Sequence, residues 1–384
     1  MKTPRSSHRR SLLFLAAGYF GINFALAIYN STYTNFLVND LNLDAFQIGA
    51  LESIREVPGL LSAVIIGVIL QFPHALLAGA FLLIFSLGIG GIATVTSWSH
   101  VVPWLLIWSI GFHSWVPLSS TLTLSLSERE QEGKRLGQLN SVASIAAILA
   151  MASVTVFSSL MEMQYRSFFL VAGAISLIGG VLVFRVPSTK NTFSKTRLVF
   201  RRQYMVFYVL SFLEGARRQM FVTFAPFALV SVYGLDVTTM ALVMAISRIL
   251  TFLASPYLGK LIDRVGPRTM LTMSYIVMIA DFLGYALIHN VLILLCLYVL
   301  NTGLMIISQI ARTTYIHTIA PLPDLTPSLA MGQTIEHIAA VIMPLTGGII
   351  WGIFGYEITF FIGVVCATGL LATAQRIDVT QIRP

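Results

Sequence analysis

The chain has 384 residues, of which 56% are hydrophobic and only 10% charged, and its mean hydropathy is +0.82. Soluble domains carry about a quarter charged residues, so these values exclude a water-soluble globular protein and read as a polytopic membrane protein. A net charge of +8 in a soluble protein would suggest nucleic acid; here the basic residues lie in loops on alternate sides of apolar segments, so the charge reports topology and no nucleic-acid partner is expected.

A helix crossing ~30 Å of hydrocarbon needs about 20 residues. On that measure twelve segments are expected, at 11–36, 46–70, 74–96, 101–125, 137–160, 166–186, 203–230, 237–258, 269–288, 291–318, 328–352 and 356–375. The basic start MKTPRSSHRR runs into the first of them with no small-residue cleavage site, so it reads as an uncleaved membrane helix. With both termini in the cytoplasm, Arg9, Arg10, Lys134, Arg135, Arg185, Lys190, Lys195, Arg197, Arg201, Arg202, Lys260, Arg264 and Arg268 all lie inside. Only Arg166 falls at the outer face, and this asymmetry sets the orientation. The two cysteines, Cys296 and Cys366, sit in apolar runs without metal-ligand spacing and read as packing residues.

The polar, basic stretch 187–202 separates the sixth and seventh segments and reads as a cytoplasmic linker between halves 1–186 and 203–384. A shift of 192 positions places Leu43-Asp44 on Leu235-Asp236, Gly67 on Gly259 and Gly111 on Gly303. A shift of 195 places Leu136-Gly137-Gln138 on Met331-Gly332-Gln333. The constant spacing argues for two six-helix halves of the same design, parallel repeats about an axis along the membrane normal.

Between the eighth and ninth segments stands GKLIDRVGPRTML, residues 259–271, whose Lys260, Asp263, Arg264 and Arg268 must face water. Gly259 and Gly266 allow a tight reversal, and Asp263 is placed to accept from backbone N–H groups at the start of the next helix. The stretch resembles the short cytoplasmic loop signature of the major facilitator superfamily of transporters, roughly Gly-x-Leu-Ala-Asp-Arg-x-Gly-Arg-Lys-x-x-Leu. Gly259, Leu261, Asp263, Arg264, Gly266, Arg268 and Leu271 match it, with Ile262 and Pro267 as departures. The resemblance implies a gating latch of Gly259, Asp263, Arg264 and Gly266. At the corresponding first-half positions stand Gln71 and Phe72, so that copy is degenerate.

Ionisable residues at mid-bilayer depth are costly and usually face a wet cavity or one another. The apolar segments hold Glu52, Arg55, Glu56, Glu214, Arg217, Arg218, Arg248, Asp281, Arg312, Glu336 and His337. Glu214 is three residues from Arg217 and four from Arg218, so both guanidinium groups can reach it along one helix face. One carboxylate cannot neutralise two arginines: either a partner such as Glu336 or Glu56 comes from another helix, or an anionic substrate completes the balance. Adjacent Glu336 and His337 read as groups able to exchange a proton.

The resemblance implies an all-α membrane fold of twelve transmembrane helices in two pseudo-symmetric six-helix bundles. It also implies that segments 1, 4, 7 and 10 line a central cavity. That favours Asn30, Tyr33, His113, Trp115, Arg217, Arg218, Asn301, Gln309 and Arg312 as substrate-binding residues, and Glu52, Glu214, Glu336 and His337 as proton-coupling residues. Asp281, on a support helix, reads as structural or protonated. No Walker loop, closed metal site or catalytic triad spacing is found, so no enzyme activity, metal or other cofactor is expected. The expected function is secondary active transport of a small organic or inorganic anion, by alternating access driven by a proton gradient. Its setting would be a bacterial inner membrane, with a small-molecule substrate, protons and the lipid bilayer as partners and a monomer as the working unit. The alternatives are proton-coupled export of amphiphilic or cationic drugs, with Glu52, Glu214 or Glu336 as the alternating acid, and, from another class, a non-transporting membrane sensor.

Overall fold

The computed structural model describes residues 4–69, 72–127, 131–187 and 200–377, with side chains for all of these except 4–8, 62–69, 132 and 322. Gln71, Lys190, Lys195 and Arg197, and with them most of the 187–202 linker, lie outside the described residues. Among the described residues twelve α-helices follow one another: α1 (Pro4–Asn35), α2 (Ala45–Ile69), α3 (His74–Gly91), α4 (Trp98–Ser125), α5 (Glu132–Met161), α6 (Tyr165–Val183), α7 (Met205–Ser231), α8 (Val237–Val265), α9 (Pro267–Leu287), α10 (Val291–Ile319), α11 (Leu322–Phe354) and α12 (Tyr356–Ala374). There is no strand among the described residues. A helix satisfies its own backbone where lipid offers no hydrogen bonds, which is why long apolar runs take this form.

Ten of the helices are long and apolar enough to cross a membrane. α2, whose side chains are described only to Leu61, and α7 each carry three ionisable residues within the helix: Glu52, Arg55 and Glu56 in one, Glu214, Arg217 and Arg218 in the other. Their polarity marks them as helices that bury charge among their neighbours.

The described residues form two compact units. One takes in residues 1–42, 57–193 and 236–245, the other 43–56, 194–235 and 246–384. Inside the first, α1 packs on α5 and α6, and α3 on α4 and α6; inside the second, α7 packs on α11 and α12, and α9 on α10 and α12. The same pairing thus recurs six helices on, the two pseudo-symmetric bundles that the repeat implies. The start of α2 is counted with the second unit and the start of α8 with the first.

The stretch 259–265, expected as a loop, is helical. α8 runs on to Val265, and only Gly266, at φ +88, separates it from α9. Nothing between Lys260 and Arg264 breaks a helix, and a basic side chain in the last turn suits the helix dipole. Pro267 then opens α9 at a position where its missing N–H costs nothing.

Candidate functional site

The buried charges of the second unit arrange themselves into two sets. The first is built on α7. Arg217 is fully buried and forms an ion pair with Glu214, one turn earlier on the same face. Its Nη1 also donates to Asn301 Oδ1 on α10 at 3.4 Å, and Asn301 Nδ2 in turn donates to Asp281 Oδ2 on α9 at 2.5 Å. Three helices are therefore tied through Arg217. Asp281 Oδ1 has no hydrogen-bond partner among the described residues.

Arg218 does not join that set. Successive residues on a helix point about 100° apart, and Arg218 turns to α11, where its Nη1 lies 3.8 Å from Glu336 Oε2. The other oxygen of Glu336 accepts from Arg312 Nη1 of α10 at 2.6 Å, and that nitrogen is 3.5 Å from Ser211 Oγ of α7. Of the alternatives the sequence left open for Arg218, the partner from another helix is the one present: Glu336, a carboxylate shared by two guanidinium groups, Arg218 and Arg312. α7 and α11 approach closely enough for this because Gly215 faces Glu336; a Cβ at Gly215 would stand 2.6 Å from the Glu336 carbonyl oxygen.

The second set joins α2 to α11. Arg55 Nη2 lies 2.7 Å from both Glu52 Oε2 and Glu56 Oε1. Glu56 Oε2 is 3.0 Å from His337 Nδ1, a distance at which the ring nitrogen donates to the carboxylate. One turn away, Ser53 Oγ accepts from the backbone N–H of Leu345 at 2.9 Å. Glu336 and His337, read from sequence as exchanging a proton with each other, instead face different partners, again because adjacent helical positions diverge.

Burying such charges costs free energy that only pairing recovers. Over α7, α9, α10 and α11 the network holds three arginines (Arg217, Arg218, Arg312) against three carboxylates (Glu214, Asp281, Glu336). The α2–α11 set holds Glu52 and Glu56 against Arg55, with His337 as the fourth member. It carries one negative charge when His337 is neutral and none when the set holds one more proton.

Within the first unit, taken by itself, aromatic residues surround the candidate positions. Tyr33 is buried and stacks on Tyr29 with ring centroids 4.3 Å apart; Tyr29 tilts onto Trp108 at 4.8 Å. The run continues through Phe112 to His113 at 6.2 and 5.1 Å. Trp115 is buried, edge-on to Tyr19, whereas Asn30 and, in the second unit, Gln309 are exposed. Sequence reasoning missed Tyr29 and Trp108 as the links between Tyr33 and His113.

A profile of the family described as "Major Facilitator Superfamily" matches residues 15–324. The chain belongs to the major facilitator superfamily. No curated protein matches it in sequence. Among solved structures it is similar to a mutant of the nucleoside transporter NupG, with TM-score 0.81 and 16% identity over 96% of this chain and 99% of that one. A bacterial homologue of the human lysosomal transporter Spinster, inward-facing and occupied, follows with TM-score 0.78 and 14% identity over 100% and 99%. A mutant of the peptide transporter POT in complex with sulfate gives TM-score 0.72 and 13% identity over 96% and 95%. At such identities the likeness is one of fold, and with the family match it makes this chain a multi-pass membrane transporter, not an enzyme.

In this superfamily member the signature residues Asp263 and Arg264 project from the last turns of α8 and are exposed, and Gly259 has open space where a side chain would go. The N-cap of α9 is Gly266, which has no side chain to cap it. Arg268 Nη2 lies 3.5 Å from Gln375 Oε1 at the end of α12, and Gln375 Nε2 donates to Thr272 Oγ1 at 2.9 Å. Gln375 carries no pattern by which the sequence alone would reveal it.

Proposed function

We propose that this transporter moves a small anionic solute across a bacterial inner membrane, with both termini cytoplasmic, working as a monomer by alternating access coupled to a proton. The observation that carries the anion reading is Glu336 divided between two arginines. Arg312 takes it at 2.6 Å, leaving Arg218 at 3.8 Å with 39% of its side chain exposed. A guanidinium so placed is short of negative charge and presents planar donors that suit carboxylate and oxyanion geometry. Proton coupling rests on the α2–α11 set, whose surplus of one carboxylate at membrane depth favours loading of a proton. Because Glu336 and His337 are neighbours on α11, anion binding at one set and proton loading at the other act on the same turn of helix. Asp263 and Arg264 retain the gating role that the signature implies, in a conformation other than the one described.

The test is uptake by the purified full-length protein in liposomes, across a panel of small anions, cations and neutral solutes, with and without an inwardly acidifying pH gradient. Accumulation of at least one anion, raised severalfold by the gradient, is the expected result. Gradient-driven movement of amphiphilic cations alone would overturn it in favour of drug export.

A further inference from the structure

Five arginines stand in the membrane segments, and four of them have a carboxylate: Arg55 with Glu52 and Glu56, Arg217 with Glu214, Arg218 and Arg312 with Glu336. Arg248 has none among the described residues, and it is exposed. It lies 11 residues from the start of α8 at Val237, about 16 Å along the helix, where a bare guanidinium in hydrocarbon is unfavourable by roughly 2.5 kcal/mol or more.

The surroundings of Arg248 on α8 say what it faces. Leu242, Ile246, Ile249, Leu250, Leu253 and Tyr257 form an exposed apolar stripe along one side of the helix, the side suited to lipid. Arg248 projects roughly 160° around the helix from Ile246. On this opposite side Ala241, Met244 and Ala245 are buried, while Arg248 and, one turn on, Phe252 are exposed. Thr251, close to Arg248 around the helix, is buried as well. A charged side chain that is exposed at mid-depth, turned away from the stripe suited to lipid and without a carboxylate among the described residues, is placed to meet an anionic solute.

We infer that Arg248 is a substrate-binding residue for the anion, and that the solute supplies its counter-ion. This deepens the anion-transport reading and rests on it. Arg217, by contrast, is sealed in its ion pair and serves the fold.

The experiment uses the full chain in liposomes, with both native cysteines changed to Ser and radiolabelled inorganic phosphate, sulfate and succinate as probes of exchange. Arg248→Gln is expected to weaken exchange of the transported anion at least tenfold while leaving the melting temperature near that of the parent, since no ion pair is broken. Arg248→Cys is expected to react with a water-borne aminoethyl thiosulfonate reagent and to regain exchange as the positive charge returns, whereas the neutral methyl reagent restores nothing. If the parent exchanges an anion and Arg248→Gln exchanges it equally well, this assignment is wrong and the anion reading stands. If the parent exchanges none of the three, both fall. An introduced thiol that the charged reagent never reaches would place residue 248 against lipid and overturn the assignment even with transport impaired.

Discussion

Glu336→Gln is expected to destabilise the second unit strongly. The carboxylate faces Arg312 at 2.6 Å and Arg218 at 3.8 Å, and its removal leaves Arg312, nearly buried, without a counter-ion. Breaking one side of a buried pair costs about 3–5 kcal/mol, most of it the cost of the charge left behind. The same reasoning says how to reverse it: Arg312→Met added to Glu336→Gln removes the stranded charge and fills its space, and replacing both members of such a pair is often neutral or better. Thermal melting of the purified single and double variants checks this. A double variant that melts as low as Glu336→Gln alone would show that the pair does not stand on its own. Anion affinity in the rescued double variant then separates stability from recognition. Arg218 and Arg248 remain in it, so binding is expected to persist.

Glu56→Gln is expected to abolish accumulation driven by a pH gradient while sparing anion exchange. The sign follows from charge counting in the α2–α11 set, where Glu52 and Glu56 face Arg55 and His337. In the parent, the set has charge −1 with neutral His337 and becomes neutral on binding one proton, so loading relieves a buried charge and is promoted as pH falls. With the Glu56 carboxylate replaced by a neutral amide, the set is neutral before any proton arrives, and loading would create a net positive charge in the membrane, which is disfavoured. Gradient-driven uptake should therefore fall at least tenfold, with counterflow within about twofold of the parent. Equal loss of both activities would assign Glu56 to holding α2 against α11 rather than to proton handling.

The twelve helices were legible because hydrocarbon leaves the backbone few options: a run of about 20 apolar residues between charged loops must be helical. The end of α8 was not, since water-facing charge at 260–264 is equally compatible with loop and helix, and only Gly266 acts as a breaker. Within the site, pairs along one helix could be read from spacing, as Glu214 with Arg217 and Glu52 with Arg55. Glu52, Arg55 and Glu56 also carried a signal left unused: two acids at i and i+4 enclosing a base point to a partner elsewhere. Contacts across helices depend on rotation about each axis, which a sequence does not display. Glu56 and His337 meet across 281 positions, and that Arg218 pairs with Glu336 while Arg217 keeps Glu214 turns on a single step of about 100°. Exposure was equally hidden: Arg217 and Arg248 look alike as intramembrane arginines, yet one is sealed and the other open.

The claim that these charges carry both solute and proton is tested most directly by proton uptake on anion binding. Purified protein in weakly buffered detergent solution with a pH indicator receives the transported anion, at several values between roughly pH 5 and 8 where histidine-linked groups titrate. Binding and protonation that are linked must show it reciprocally. The result expected is uptake of about one proton per bound anion over part of that range, lost in Glu56→Gln, whereas saturable anion binding with no proton taken up at any pH would contradict it.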